Sequence, residues 1–130
     1  MPKRTSRRDE VQSRLWRERI VPGVIRRDAG ICHICGHAGA DTADHLFPRT
    51  EMTDEQKRTM MFDPANLKAV HHKQCEVCSA RALVRGHGPI RCNPLRGAYS
   101  IDRVRRIINE RTGQSLGESL HPGGPEGREW

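Results

Sequence analysis

Two thiol pairs stand out in this chain. Cys32-His-Ile-Cys35 and Cys75-Glu-Val-Cys78 each place two residues between their sulfurs. That spacing lets the backbone fold back until both thiolates reach one ion at about 2.3 Å. Two such pairs about 40 residues apart are a strong signature of structural Zn2+. The leading ligand set is Cys32, Cys35, Cys75 and Cys78. A fifth cysteine, Cys92, and the imidazole of His71 are alternative ligands, and the residues alone leave open a set in which Cys92 joins Cys32, Cys35 and His71 or another ligand. A second zinc lacks an obvious full ligand set. The odd cysteine count argues against complete disulfide pairing.

Between the thiol pairs lies Asp44-His45, a hard carboxylate beside an imidazole. Imidazole is the side chain whose ordinary pKa falls near neutrality, which suits general base work. A carboxylate suits a hard divalent ion. Phosphodiester cleavage needs a nucleophilic water, neutralised phosphate charge and help for the departing 3′ oxygen. One histidine and one divalent ion can meet all three needs. On a strand, neighbouring side chains point to opposite faces, so Asp44 and His45 meet at one site only where the strand end bends. Asn66, after the Asp63-Pro64 turn, is placed to orient His45 or to tie down the loop carrying it. Asn93 directly follows Cys92, so a zinc at Cys92 would hold it rigidly beside a catalytic ion.

The elements that must position these groups are short. Ser6 starts a helix over about 7–19, with Pro22-Gly23 expected to break it and a turn of helix at 24–28 leading into the first thiol pair. Residues 43–47 and 66–70 read as two strands, separated by a polar, helix-compatible stretch at 50–62. Residues 71–92 read as irregular. Ile101, Val104, Ile107 and Ile108 recur at helical spacing, which predicts a helix over 101–112 capped by Ser100 and ended by Gly113. The fold class is therefore α+β, with N- and C-terminal helices flanking a small core. The chain divides into a basic arm and helix at 1–23, a domain with its closing helix at 24–115, and a disordered tail at 116–130.

Composition says why a metal is needed. Val, Ile, Leu and Phe supply 24 of the 130 residues, a thin core that calls for a staple. The N-terminus runs into charged residues without an apolar segment, and no apolar run reaches membrane-spanning length. A cytoplasmic, reducing compartment and no membrane partner are expected. The net charge is +7, and residues 1–30 hold nine Lys and Arg against four Asp and Glu. An arm carrying Lys3, Arg4, Arg7, Arg8 and Arg14 suits a polyanion, most simply DNA.

Taken together, these residues resemble the HNH endonucleases, whose core is the ββα-metal or His-Me finger. The resemblance covers about residues 24–98. It rests on Cys32-His-Ile-Cys35, Ala43-Asp44-His45-Leu-Phe-Pro48, Asp63-Pro-Ala-Asn66-Leu67 with His71 five residues after the asparagine, and Cys92-Asn93-Pro-Leu-Arg96-Gly97. It implies a zinc-stapled ββα-metal core and metal-dependent DNA hydrolysis, with His45 as general base. Asp44 and Asn93, or a nearby histidine such as His71, His72 or His87, would hold Mg2+, Mn2+ or another divalent ion, with Asn66 in support. Small members of this kind resemble phage packaging-associated nucleases, which implies a phage setting and packaging machinery as a partner. The sequence departs from the family pattern after residue 70, where Glu76 and Ser79 follow the second pair of cysteines and Cys92-Asn93 comes later. The main alternative is a non-catalytic zinc-binding DNA-binding module, which needs the cysteines and the arm but not Asp44, His45 or Asn66. A protein-binding adaptor using the 101–112 helix is a third.

Overall fold

The computed structural model describes residues 7–116. Lys3, Arg4 and the tail from 117 onward lie outside the described residues. The first element is a long helical run in three parts: α1 (Arg7–Leu15), a π-helical turn over Trp16–Ile20, and α2 (Val21–Arg27). Pro22-Gly23 therefore does not break the helix. Pro22 falls in the first turn of α2, where a missing N–H costs little. The wider turn before it re-routes the backbone bonds, with Val21 N–H reaching back to Trp16 O.

Strand β1 (Thr42–His45) pairs antiparallel with β2 (Leu67–Val70), with Asp44 opposite Lys68 and His45 opposite Leu67. Between them stand α3 (Asp54–Met60) and two single 3₁₀ turns, Arg49–Glu51 and Pro64–Asn66. Thr53 and Gln56 form a reciprocal capping box that starts α3. The 71–92 stretch is not wholly irregular. It contains α4 (Glu76–Val84), whose N-cap is Cys75, its sulfur accepting the Cys78 N–H at 3.4 Å. Sulfur is a rare cap, so the usual Ser/Thr/Asp/Asn signal for a helix start is missing. A short helix, α5 (Cys92–Arg96), and α6 (Ile101–Thr112) complete the chain. The last begins at Ser100 and ends at a left-handed Gly113, as its sequence predicts. The described molecule is α+β, with several helices round a two-stranded sheet. None of its helices is long and apolar enough to cross a membrane.

A four-residue hairpin is not stable alone and needs a partner layer. Helix α2 packs on both strands, and α6 packs on α4 and α5. The core joins Val24, Ile34, Leu67, Val70, Ile90, Val104 and Ile108 with all five cysteines, none of these residues more than 3% exposed. Sulfur thus fills the space that aliphatic side chains fill in a richer core. Leu116 is also buried, and its N–H donates to Asn109 Oδ1.

One ion pair ties helix to sheet. At the end of α2, Arg27 donates to the carboxylate of Asp28 (2.7 Å) and to the carbonyls of Pro64 and Leu67. Asp28 in turn accepts the Ala69 N–H at 2.9 Å. The Arg27 hydrogen bond, helped by Ala69 N–H, holds the Asp28 carboxyl below the ordinary carboxylate pKa. A lowered pKa in the folded state stabilises the fold above the unfolded value, and this contribution is lost as pH falls through the lowered one. Asp28→Ala should cost about 1.5–3 kcal/mol at neutral pH, the usual worth of a hydrogen bond to a charged group. In urea denaturation, the gap between variant and parent should close as pH falls below about 4. A gap independent of pH would show that the carboxylate charge does not contribute.

Candidate metal centre and active site

The Cys32–Cys35 turn is closed by Gly36 N–H donating to Cys32 O (2.8 Å) and Cys32 N–H donating to His37 O (3.0 Å). Arg105, buried on α6, holds the same turn from beneath by donating to Ile34 O (3.2 Å) and His33 O (2.6 Å). Strand β2 runs directly into His71, and Asn93 N–H donates to His71 O, bringing α5 against it. Cys75 N–H donates to Ile90 O, which folds the segment carrying Cys75 and Cys78 onto the segment leading to Cys92.

These bonds gather seven donors, and they sort into two groups of four. Cys32, Cys35, His71 and Cys92 form one, wholly buried; Cys35, His37, Cys75 and Cys78 form the other. Cys35 belongs to both. The leading sequence set of Cys32, Cys35, Cys75 and Cys78 is thus split, with Cys92 and His71 beside Cys32, and His37 beside Cys75 and Cys78. His37 was missed by sequence reading. Its signal was its place two residues after Cys35, which the glycine between them brings back toward the sulfurs.

The imidazoles are presented as ligands. His71 Nε2 lies 2.9 Å from Ala38 O, which can only accept, so Nε2 carries the proton and Nδ1 offers its lone pair. Nδ1 lies 3.5 Å from Cys35 Sγ and 3.9 Å from Cys92 Sγ. Gly39 (φ +97°) lets the backbone pass close over this ring; a Cβ there would meet His71 Nε2 at 3.4 Å in a conformation that strains other residues. Burial lowers the His71 pKa, but hydrogen bonds to Cys32 and Ala38 and nearby thiolate charge outweigh it and raise the value to about 9, so a metal at Nδ1 would take the place of a proton there. Cys35 is pushed far up by its hydrogen bonds to Cys32, Cys75, Cys78 and Cys92 and by burial. Crowded sulfurs cannot all ionise without a cation. A buried set of soft thiolates and imidazoles is compatible with a structural metal such as zinc.

The second constellation lies at the end of β1. Asp44, 7% exposed, accepts from His33 Nε2 at 2.9 Å. Arg96 Nε lies 3.2 Å from the same oxygen, although its N–H is not aligned on any acceptor. The rest of that guanidinium donates to the carbonyls of His45, Leu46 and Tyr99, fixing the strand exit to α5. His45 stacks nearly parallel on Trp16, with ring centroids 5.3 Å apart and planes 7° apart. Its Nε2 is 2.9 Å from Met61 O and so carries the proton, leaving Nδ1 as the basic nitrogen.

The hydrogen bonds of Asn66 go to the backbone and not to the His45 ring. Its Oδ1 accepts the Phe47 N–H at 2.8 Å, and its amide nitrogen lies 3.5 Å from both Phe47 O and Met60 O. It therefore ties the loop after His45 to the segment that supplies Met61 O. Asp44, His45 and Asn93 all border two clefts, of about 940 Å³ and 610 Å³. Trp16 and Arg17 of the π turn line the smaller one, and Lys68 and Arg96 the larger. Arg7, Arg8 and Arg14 are exposed on α1. His72 and His87 are exposed and belong to neither donor group. His33, Arg96 and Trp16 had no assigned site role in the sequence reading, because no spacing rule connects positions so far apart.

Comparisons with protein-family models, with curated proteins and with solved structures return no match for this chain.

Asn66→Ala should destabilise the protein by about 1–3 kcal/mol, because it strands the Phe47 N–H against a buried side chain. Faster amide exchange at Phe47 would accompany the loss. A variant of unchanged stability with a protected Phe47 amide would show that another acceptor holds the loop.

Proposed function

We propose that this chain is a metal-dependent DNA endonuclease with an HNH-type, ββα-metal core formed by β1, β2 and α5, stapled by zinc at the Cys/His donors. The observation that carries the reading is the convergence of Asp44, His45 and Asn93 on the same clefts, with His45 Nδ1 left as a free base by the Nε2 bond to Met61 O. An antiparallel hairpin followed by a short helix beginning at Cys92 agrees with the same reading.

The chemistry follows from these positions. His45 Nδ1 takes a proton from a water held in the cleft, and the oxygen attacks phosphorus as the bond to the 3′ oxygen breaks. Trp16 and Met61 O fix the ring so that Nδ1, not Nε2, performs this step. Asp44, with His33 beside it and Asn93 in the lining of the same cleft, offers oxygen and nitrogen donors for a divalent ion. A divalent ion bound there supplies positive charge to the phosphate and the departing oxygen. Lys68 borders the cleft and suits a flanking phosphate. The basic residues of α1 are exposed and suit further backbone phosphates, so affinity should fall steeply with salt.

His45→Ala should lower cleavage of supercoiled plasmid by about 10²–10⁴-fold with Mg2+ or Mn2+ present, while circular dichroism and zinc content stay unchanged. Undiminished cutting by the purified variant would exclude His45 as the base. A gel shift that needs no divalent ion, with no cleavage of any DNA form, would instead support a non-catalytic zinc-binding DNA-binding module.

Removing zinc with a strong chelator should unfold the protein, because the core is organised on the metal donors. Helical circular dichroism should fall and return on zinc addition. A fold indifferent to chelation, with no zinc found in the purified protein, would exclude the staple.

A further inference from the structure

The geometry points to a binuclear zinc centre in which the Cys35 thiolate bridges two ions, one completed by Cys32, His71 and Cys92 and the other by His37, Cys75 and Cys78. This rests on the zinc reading above and goes beyond it in number, ligand set and bridge.

Two tetrahedral ions need eight ligand positions, and the chain brings seven donors together with Cys35 in both groups. A thiolate has lone pairs enough to bind two ions, whereas an imidazole nitrogen has one. Cys35 is thus the shared residue by position and is chemically able to be shared. His37 supplies what the second site lacks when the sequence is read by cysteines alone.

The distances match the edges of such tetrahedra. Bonds of about 2.3 Å to sulfur and about 2.05 Å to nitrogen give edges of about 3.8 Å between two sulfurs and about 3.6 Å between sulfur and nitrogen. Cys35 Sγ lies 3.8 Å from Cys75 Sγ and 3.5 Å from His71 Nδ1. His37 Nδ1 lies 3.6 Å from Cys75 Sγ and 3.4 Å from Cys78 Sγ. Cys92 Sγ lies 3.9 Å from His71 Nδ1, a little beyond that edge, so both groups are close to the size of an occupied site.

Charge is compatible with two ions. Five thiolates and two Zn2+ leave a net charge of only −1. Arg105, buried against the Cys32–Cys35 turn, brings one positive charge to that side. On the other side, Gln114 Nε2 lies 3.3 Å from Cys78 Sγ, and Cys78 N–H donates to Cys75 Sγ. Donors aimed at sulfur are what metal-bound thiolates collect around them.

The test is metal content and connectivity in the full chain as purified. Elemental analysis and native mass spectrometry should give two zinc ions per chain. One ion per chain would overturn the binuclear centre while leaving a zinc staple; none would overturn both. After exchange into ¹¹³Cd, two resonances should appear, split by mutual coupling through the shared sulfur. Two uncoupled resonances would overturn the bridge. Cys35→Ala should lose both ions, and retention of both would overturn it independently.

Discussion

Donors from four separate stretches of chain converge on Cys35, and every other element is arranged round that convergence. The sulfurs are buried and central, while the aliphatic side chains that would normally define a core are few. Burying thiolates and imidazoles without a partner is expensive, and pairing them with a cation reverses the sign of the contribution. The hairpin, α4 and α5 are each too short to persist alone. Each carries or adjoins a donor: His71 follows β2, Cys75 and Cys78 open α4, and Cys92 opens α5. Local structure and the donor cluster therefore form together.

The same economy joins scaffold and site. His33 sits inside the first thiol pair and reaches Asp44. Asn93 is the next residue after Cys92 and borders both clefts. Arg96, one turn further along α5, holds the exit of β1. Asn93 and the two residues that hold Asp44 and the end of β1 are thus one or two residues, or about one helical turn, from groups read as ligands. Their relative positions are set by backbone next to the donors, not by long flexible side chains.

Much of this was legible in the residues because its rules are local. Cys-x-x-Cys spacing, the Ser100 cap and Gly113 stop of α6, and the two short strands all follow from near-neighbour geometry. What escaped was non-local or chemically unusual. Pro22 reads as a breaker unless the preceding turn is known to be π-helical. Helix α4 starts from a sulfur cap, outside the usual repertoire. The division of donors between Cys32 and Cys75 depends on where His37 and His71 come to rest, which only the folded chain decides. Trp16 covers His45 across 29 positions of sequence, and no periodicity links them.

The π turn at Trp16–Ile20 also sets an angular phase. It winds in more backbone per turn than an α-helix would, between a helix fixed to the sheet and a helix carrying exposed arginines. Each residue of an α-helix advances about 100° round its axis. Were the same residues wound as plain α-helix, the extra residue would no longer be taken up in the turn and α1 would swing by about that angle. Trp16 would leave the His45 ring, and the arginines of α1 would face another direction. A single codon's worth of chain thus acts as a rotational shim between the basic surface and the imidazole.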